Sequence, residues 1–362
     1  MLQELLARDV IATRPAEFYD SVPAPLPGDL SFSRIEGMLL GLAVGDSLGV
    51  TSEGLAPEHR RAIFGEIRDY LPIPKTGLRD GIPSDDTQLA FWTLEQMLED
   101  DGFVPENIAH RFATGEIFGI GSSVMAFRDA YLETGGPWWK CGQPSAGDGA
   151  LMRIAPMVVP HLRRPSANLW IETALCSAIT HNDTASISSC VAYVAMLWDL
   201  LGRTEPPEPS WWVERFIEVA RELETDTVYR PRAGEHRDFA GQLTEFVEQA
   251  VPEAYAQGLS VVEACESWLS GAYLLETVPS VLYILMHHGD DAEEAILRAV
   301  NDTRDNDTVA AIVGAAVGAL HGRKALPDRW LEGLTGRTQA DDDGRVFELI
   351  EMARQRWWED ST

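Results

Sequence analysis

From Ser33 onward apolar residues return every three to four positions almost without a break, the period of a helix face. The two-residue alternation of a half-buried strand is not sustained anywhere. Helical stretches are predicted over 37–48, 87–99, 105–114, 124–132, 167–179, 184–201, 211–225, 238–253, 261–269, 278–287, 292–300, 309–320 and 346–358. The breaks between them are short and carry Gly, Pro, Asn or Asp. No fixed-period repeat is present, which excludes a solenoid. The pattern predicts one all-α domain over residues 34–362, a compact bundle of a dozen or more helices. Residues 1–33 read differently. Leu2, Leu5 and Leu6 have helical spacing, and three prolines and a glycine then break the chain between Ser21 and Asp29. This predicts an N-terminal arm on a semi-rigid linker. Ser33-Arg34-Ile35-Glu36 matches a capping box opening the first long helix.

Two of these helices are unusually small in side chain. Gly37, Gly41 and Gly45 recur at four-residue intervals in one, and Gly314 and Gly318 lie within an alanine-rich run in the other. Glycine costs roughly 1 kcal/mol against alanine inside a helix, so its repetition implies close helix contact at the centre of the bundle. That contact would hold the segments flanking it near one another.

Those flanking segments carry the candidate chemistry. Ser84-Asp85-Asp86-Thr87 and Asp305-Asn306-Asp307-Thr308 each open an apolar helix. Carboxylates crowded this closely repel, and a helix dipole relieves only part of the repulsion. Taken singly, each segment reads equally well as an N-cap. Taken together they supply four carboxylates, with the hydroxyls of Ser84 and Thr308, as hard oxygen ligands. Such a set suits one or two Mg²⁺ or Mn²⁺ ions and not zinc, which favours His and Cys.

Charge narrows the partners. With 29 Lys and Arg against 57 Asp and Glu, the formal net charge is −28. Nucleic acid and anionic membrane are disfavoured as bulk surfaces, while a cation or basic protein is attracted. Four cysteines without Cys-x-x-Cys spacing fit thiols in a reducing compartment. The N-terminus lacks a secretory pattern, and the longest uninterrupted apolar run, Val309 to Leu320, is too short to span a bilayer. The expectation is a cytoplasmic protein.

Four ordered motifs resemble the ADP-ribosylglycohydrolases, the family that includes the dinitrogenase reductase-activating glycohydrolase. They are Gly45-Asp46-Ser47-Leu48-Gly49 with Glu53 shortly after, Ser84-Asp85-Asp86-Thr87, Gly147-Asp148-Gly149-Ala150-Leu151-Met152-Arg153, and Asp305-Asn306-Asp307-Thr308. The resemblance runs from about Arg34 to Gly322. It implies an all-α fold with two Mg²⁺ ions at its centre, and removal of ADP-ribose from a modified target. Carried over by position, it implies Ser84, Asp85, Asp86, Asp305, Asp307 and Thr308 as metal ligands. It also implies a Ser145–Gly149 loop (Ser145, Gly147, Asp148, Gly149) around the diphosphate and distal ribose, with His181 against the adenine. The family more often has Asn where Asp148 stands, and an aspartate beside a diphosphate is tolerated if it turns to a hydroxyl. Thr303-Arg304 stands where Gly-Gly is usual, and Asn306 replaces a common Thr or Cys.

Cleaving a bond at an anomeric carbon passes through an oxocarbenium-like state and needs a positioned water, a base and help for the leaving group. The candidates for acid–base work are Asp85, Asp86, Asp305 and Glu53. A carboxylate beside divalent ions stays ionised, so Glu53, outside the acidic turns, is the better acid candidate. The turn Gly119-Ile120-Gly121-Ser122 precedes a helix and offers backbone N–H groups, from Gly121 and Ser122, to a phosphate. His181 reads as an exposed loop histidine, and the paired tryptophans as packing. The expected activity is Mg²⁺-dependent removal of ADP-ribose from arginine on a protein. An alternative is an immunity protein whose N-terminal arm blocks an ADP-ribosyltransferase toxin.

Overall fold

A pair of antiparallel helices fixes the architecture. In the computed structural model, which describes residues 1–72, 77–340, 342 and 344–359, α2 (Phe32–Gly49) lies against α14 (Asn306–His321) along its whole length. The glycines explain how closely. A Cβ placed on Gly41 would sit 2.1 Å from the Gly314 carbonyl oxygen, and one on Gly45 2.0 Å from that of Ala310. Gly37 meets Gly318 in the same way, and Gly49 meets the backbone of Asp307. No larger residue fits at any of these contacts. The register therefore brings the last turn of α2 to the first turn of α14, where the second acidic motif begins.

The remaining helices surround this pair: α1 (Leu2–Ala7), α3 (Pro57–Phe64), α4 (Asp85–Asp100), α5 (Pro105–Thr114), α6 (Ser122–Thr134), α7 (Asn168–Thr180), α8 (Thr184–Gly202), α9 (Pro209–Leu223), α10 (Leu243–Gln257), α11 (Val261–Ser267), α12 (Leu274–His288), α13 (Ala292–Asp302), α15 (Asp328–Gly333) and α16 (Arg345–Arg354). Strands are absent among the described residues, which hold only three isolated bridges. The all-α expectation holds.

Several boundaries move for local reasons. The cap of α2 is Ser31, whose hydroxyl accepts from Ser33 N–H, and Glu36 pairs with Arg323 instead of closing a box on Ser33. α10 starts at Leu243, five residues after the expected Asp238. Tyr229 and Gly241 first exchange backbone hydrogen bonds, and Gln242 with Glu245 then forms the capping box. α3 and α15 were not legible because each is a short helix with a narrow apolar face.

Contrary to the expectation that no segment is long enough, α8 has the length and apolarity to cross a membrane. Interspersed serines and threonines hide this from a count of unbroken apolar residues. Within the fold 89% of that stretch is buried against other helices, so its apolarity serves the core.

Residues 1–31 lie along the body. Leu2, Leu5, Ile11 and Tyr19 are buried in the same core as the helices, and burial of each such side chain contributes about 1.5–3 kcal/mol. The proline-bearing stretch is pinned by indole N–H groups, Trp170 to the Ser21 carbonyl at 2.9 Å and Trp198 to that of Ala24 at 2.8 Å. Asn182 ties the chain on both sides of Ile11, through Ala12 N–H and the Val10 carbonyl.

Candidate active site

The N-termini of α4 and α14 meet at the end of α2, and Asp46 on α2 is the joint. Its two oxygens accept from Ser84 N–H at 3.0 Å, and one also accepts from Thr87 N–H at 3.1 Å and from Thr87 Oγ1 at 2.5 Å. A buried carboxylate with this many donors anchors a helix start. Burial still outweighs those bonds and pushes its pKa up to about 6. Asp46 stands in a quoted motif, yet sequence reasoning gave it no role. The available signal was an aspartate in the last turn of an otherwise apolar helix, which needs a partner when buried.

Above Asp46 the carboxylates converge. Oxygens of Asp46, Asp86 and Asp307 lie within 4.8 Å of one another, and so do those of Glu53, Asp305 and Asp307. Asp307 belongs to both sets. Asp85 lines the same cleft outside either group, while Ser84 turns its hydroxyl to Asp86 Oδ2 at 2.9 Å. Thr308 lines the cleft beside Met152. Desolvation raises the pKa values of Asp86, Asp305 and Asp307 well above the ordinary range, and the neighbouring carboxylates raise them further. Asp85 is pushed up to about 8, again by burial first and then by Asp46. Asp86 Oδ1, Asp305 Oδ2 and Asp307 Oδ1 are buried without a hydrogen-bond partner. Unpartnered buried oxygens of this kind are costly, and an all-oxygen donor set of this charge fits hard divalent cations.

The cleft holding these groups has a volume of about 520 Å³, ample for a nucleotide-sized ligand. The glycine loop forms another part of its wall. Ser145 Oγ accepts from Gly147 N–H at 3.2 Å and from Ser123 Oγ at 2.8 Å, which joins the loop to the start of α6, where Gly121 and Ser122 also line the cleft. Asp148 lines the cleft and accepts from Thr277 Oγ1 at 2.6 Å.

His181 is buried rather than exposed, because the 143–149 loop folds over it. A Cβ on Gly149 would lie 3.0 Å from the imidazole, so the loop needs glycine to approach this closely. Burial and the cationic Arg153 push its pKa down to about 3. Arg153 also donates to Thr180 Oγ1, and that hydroxyl lies 2.9 Å from His181 Nδ1. The Nε2 edge of the neutral ring faces the glycine loop.

Glu53 stands at the exposed rim, its pKa raised by partial burial and by Asp148. Arg337 is the one arginine among the residues lining the cleft, and its guanidinium lies 4.6 Å above the Phe118 ring. Glu53 was among the sequence candidates, whereas Arg337 was not, since nothing in the sequence pairs positions so far apart.

Residues 27–358 match the family model described as ADP-ribosylglycohydrolase. An uncharacterized protein of Archaeoglobus fulgidus is 35% identical over 312 residues, covering 84% of this chain and 92% of the relative. The ADP-ribosylarginine hydrolase Tri1 of Pseudomonas putida is 26% identical, covering 91% and 84%. A solved ADP-ribosylglycohydrolase-related protein complex superposes with a TM-score of 0.66 at 26% identity, over 90% of this chain and 97% of that one. The chain belongs to the ADP-ribosylglycohydrolase family and is a hydrolase of glycosidic bonds.

Proposed function

We propose that this protein removes ADP-ribose from arginine on an ADP-ribosylated protein and that it needs two Mg²⁺ ions, or Mn²⁺ in their place, to do so. One observation carries the reading: Asp307 is shared by two sets of three carboxylates at the base of a nucleotide-sized cleft. Asp86, Asp305 and Asp307 would hold the ions, and Asp85, Ser84 and Thr308 complete the oxygen lining. Asp46 has already given its oxygens to α4 and acts as their anchor. The ions, when bound, supply a positive field that orients a ribose diol and favours ionised carboxylates.

The chain's own groups do the rest. The 145–149 loop and the start of α6 offer backbone N–H groups to a diphosphate. The Nε2 edge of His181 lies beneath that loop, and Asp148 at the cleft wall accepts from Thr277. Asp85 lies at the cleft wall, where ionisation lets it take a proton from an attacking water. Glu53, half in solvent with a raised pKa, is placed to protonate a leaving group. The acidic rim, with Glu53 and Asp80, favours a cationic guanidinium leaving group, and the similar Pseudomonas putida protein is an ADP-ribosylarginine hydrolase. The neutralising-partner reading has less support, since the arm's apolar residues are spent on the core.

The test is release of ADP-ribose from arginine-, serine- and nucleic-acid-linked substrates, with Mg²⁺ and with chelator. Arginine-linked release that stops in chelator is expected. Full activity in chelator rejects the metal role, and faster cleavage of another linkage rejects the arginine assignment.

A further inference from the structure

We propose that Arg60 is a positioning residue for the carboxylate centre, fixing the Glu53 loop against the turn that carries Asp305 and Asp307. This rests on the metal reading above. Arg60 on α3 is fully buried, and its guanidinium makes no salt bridge among the described residues. It is spread instead over backbone. Nη1 donates to the carbonyls of Asn301 at 3.3 Å and Thr303 at 2.6 Å. Nη2 donates to those of Ser52, Leu55 and Arg304 at 3.3, 3.0 and 3.4 Å, and Nε donates to Ser52 Oγ at 3.0 Å. Acceptors before and after Glu53 are thus joined through one planar cation to the turn that enters Asp305.

Asn306 completes the clamp from the other side. Its Nδ2 donates to Ser52 Oγ at 3.0 Å, to the Gly49 carbonyl at 3.2 Å and to the Val300 carbonyl at 3.1 Å. Gly54 N–H donates to the Arg304 carbonyl at 3.1 Å. Glu53 therefore sits between two residues that are both tied to the 300–306 segment. Burying a guanidinium without a paired carboxylate is costly, and an apolar side chain would often serve stability better. The nearest acidic groups affecting it are Asp307 and Asp302. A charge kept here at such cost has a use in setting the distance from Glu53 to Asp305 and Asp307. Asn306 supplies the amide that this clamp needs.

The full chain, with Arg60→Met, Arg60→Lys and Ser52→Ala variants, would be titrated with Mn²⁺ alone, free Mn²⁺ being read by EPR. Unfolding in chelator is followed by circular dichroism. Outer partners of metal ligands typically change affinity roughly 10–100-fold. Arg60→Met is expected to weaken Mn²⁺ binding in that range well below its melting temperature, with Arg60→Lys recovering only part. Ser52→Ala should weaken it about 10-fold, the lower end of that scale, and it decides the matter should Arg60→Met fail to fold. Wild-type affinity in these variants, with or without a lowered melting temperature, overturns the positioning role. Absence of Mn²⁺ uptake by the wild type overturns the metal reading itself, a distinguishable result.

Discussion

The two acidic turns have nearly the same sequence, and the fold treats them in opposite ways. Ser84 caps α4 with its own hydroxyl, and Asp46 beneath it satisfies Ser84 and Thr87. Asp305 begins α14 with no side-chain cap, and Asp305 Oδ2, Asn306 Oδ1 and Asp307 Oδ1 are left unpartnered. The second turn is held from behind, by the Asn306 amide and by Arg60 on its carbonyls. The first turn is anchored through Asp46 and its own serine cap and leaves one buried oxygen, Asp86 Oδ1, without a partner. The other is kept rigid by neighbours so that its bare oxygens stay in place, the usual trade of stability for function.

The sharpest test of this difference is a pair of substitutions. Asp307→Asn should lower the rate of ADP-ribose release by about 10³-fold or more, a loss of roughly 4 kcal/mol of barrier lowering. It should also raise the melting temperature of the metal-free protein, because it removes a repelled buried charge. Asp46→Asn should instead lower that melting temperature, since an amide cannot accept from all the donors that Asp46 serves. Shifts of the same sign in both variants would erase the distinction.

A smaller effect is expected from the ruler between the turns. Gly41→Ala forces a methyl against the Gly314 carbonyl and should destabilise the fold by about 2–3 kcal/mol in denaturant titrations. An unchanged midpoint would mean that the helices separate freely, and the spacing of the turns would need another cause.

The smallest effect is a pH dependence. Asp85 rises to about 8 and Asp46 to about 6 in the folded chain, against about 3.9 for an unfolded aspartate. A raised folded value means stability is fully present below the unfolded pKa and lost as pH climbs to the folded one. His181, lowered to about 3, acts oppositely below about 6.5. Between pH 6.5 and 8 the metal-free protein should therefore lose melting temperature, and added Mg²⁺ should restore it. A flat profile in chelator would show that these carboxylates are not strained.

Much was legible in the chain because helix periodicity, caps and small-residue spacing act over a few residues. Those features gave the all-α class, most helix spans and both acidic turns. The face that glycine repeats present is local information too, since Gly37, Gly41 and Gly45 share one side of a helix. Asp46, Arg60, Asn306 and Arg337 were different. Each matters through partners tens to hundreds of positions away, as when Arg60 reaches Thr303. Burial of His181 likewise follows from a loop folding over it. The type and ends of its elements were written locally in the sequence, through backbone sterics and the period of apolar side chains. Which carboxylates meet, and which are left unsatisfied, was decided only when α2 and α14 closed to glycine distance, because electrostatics and desolvation depend on separation in space.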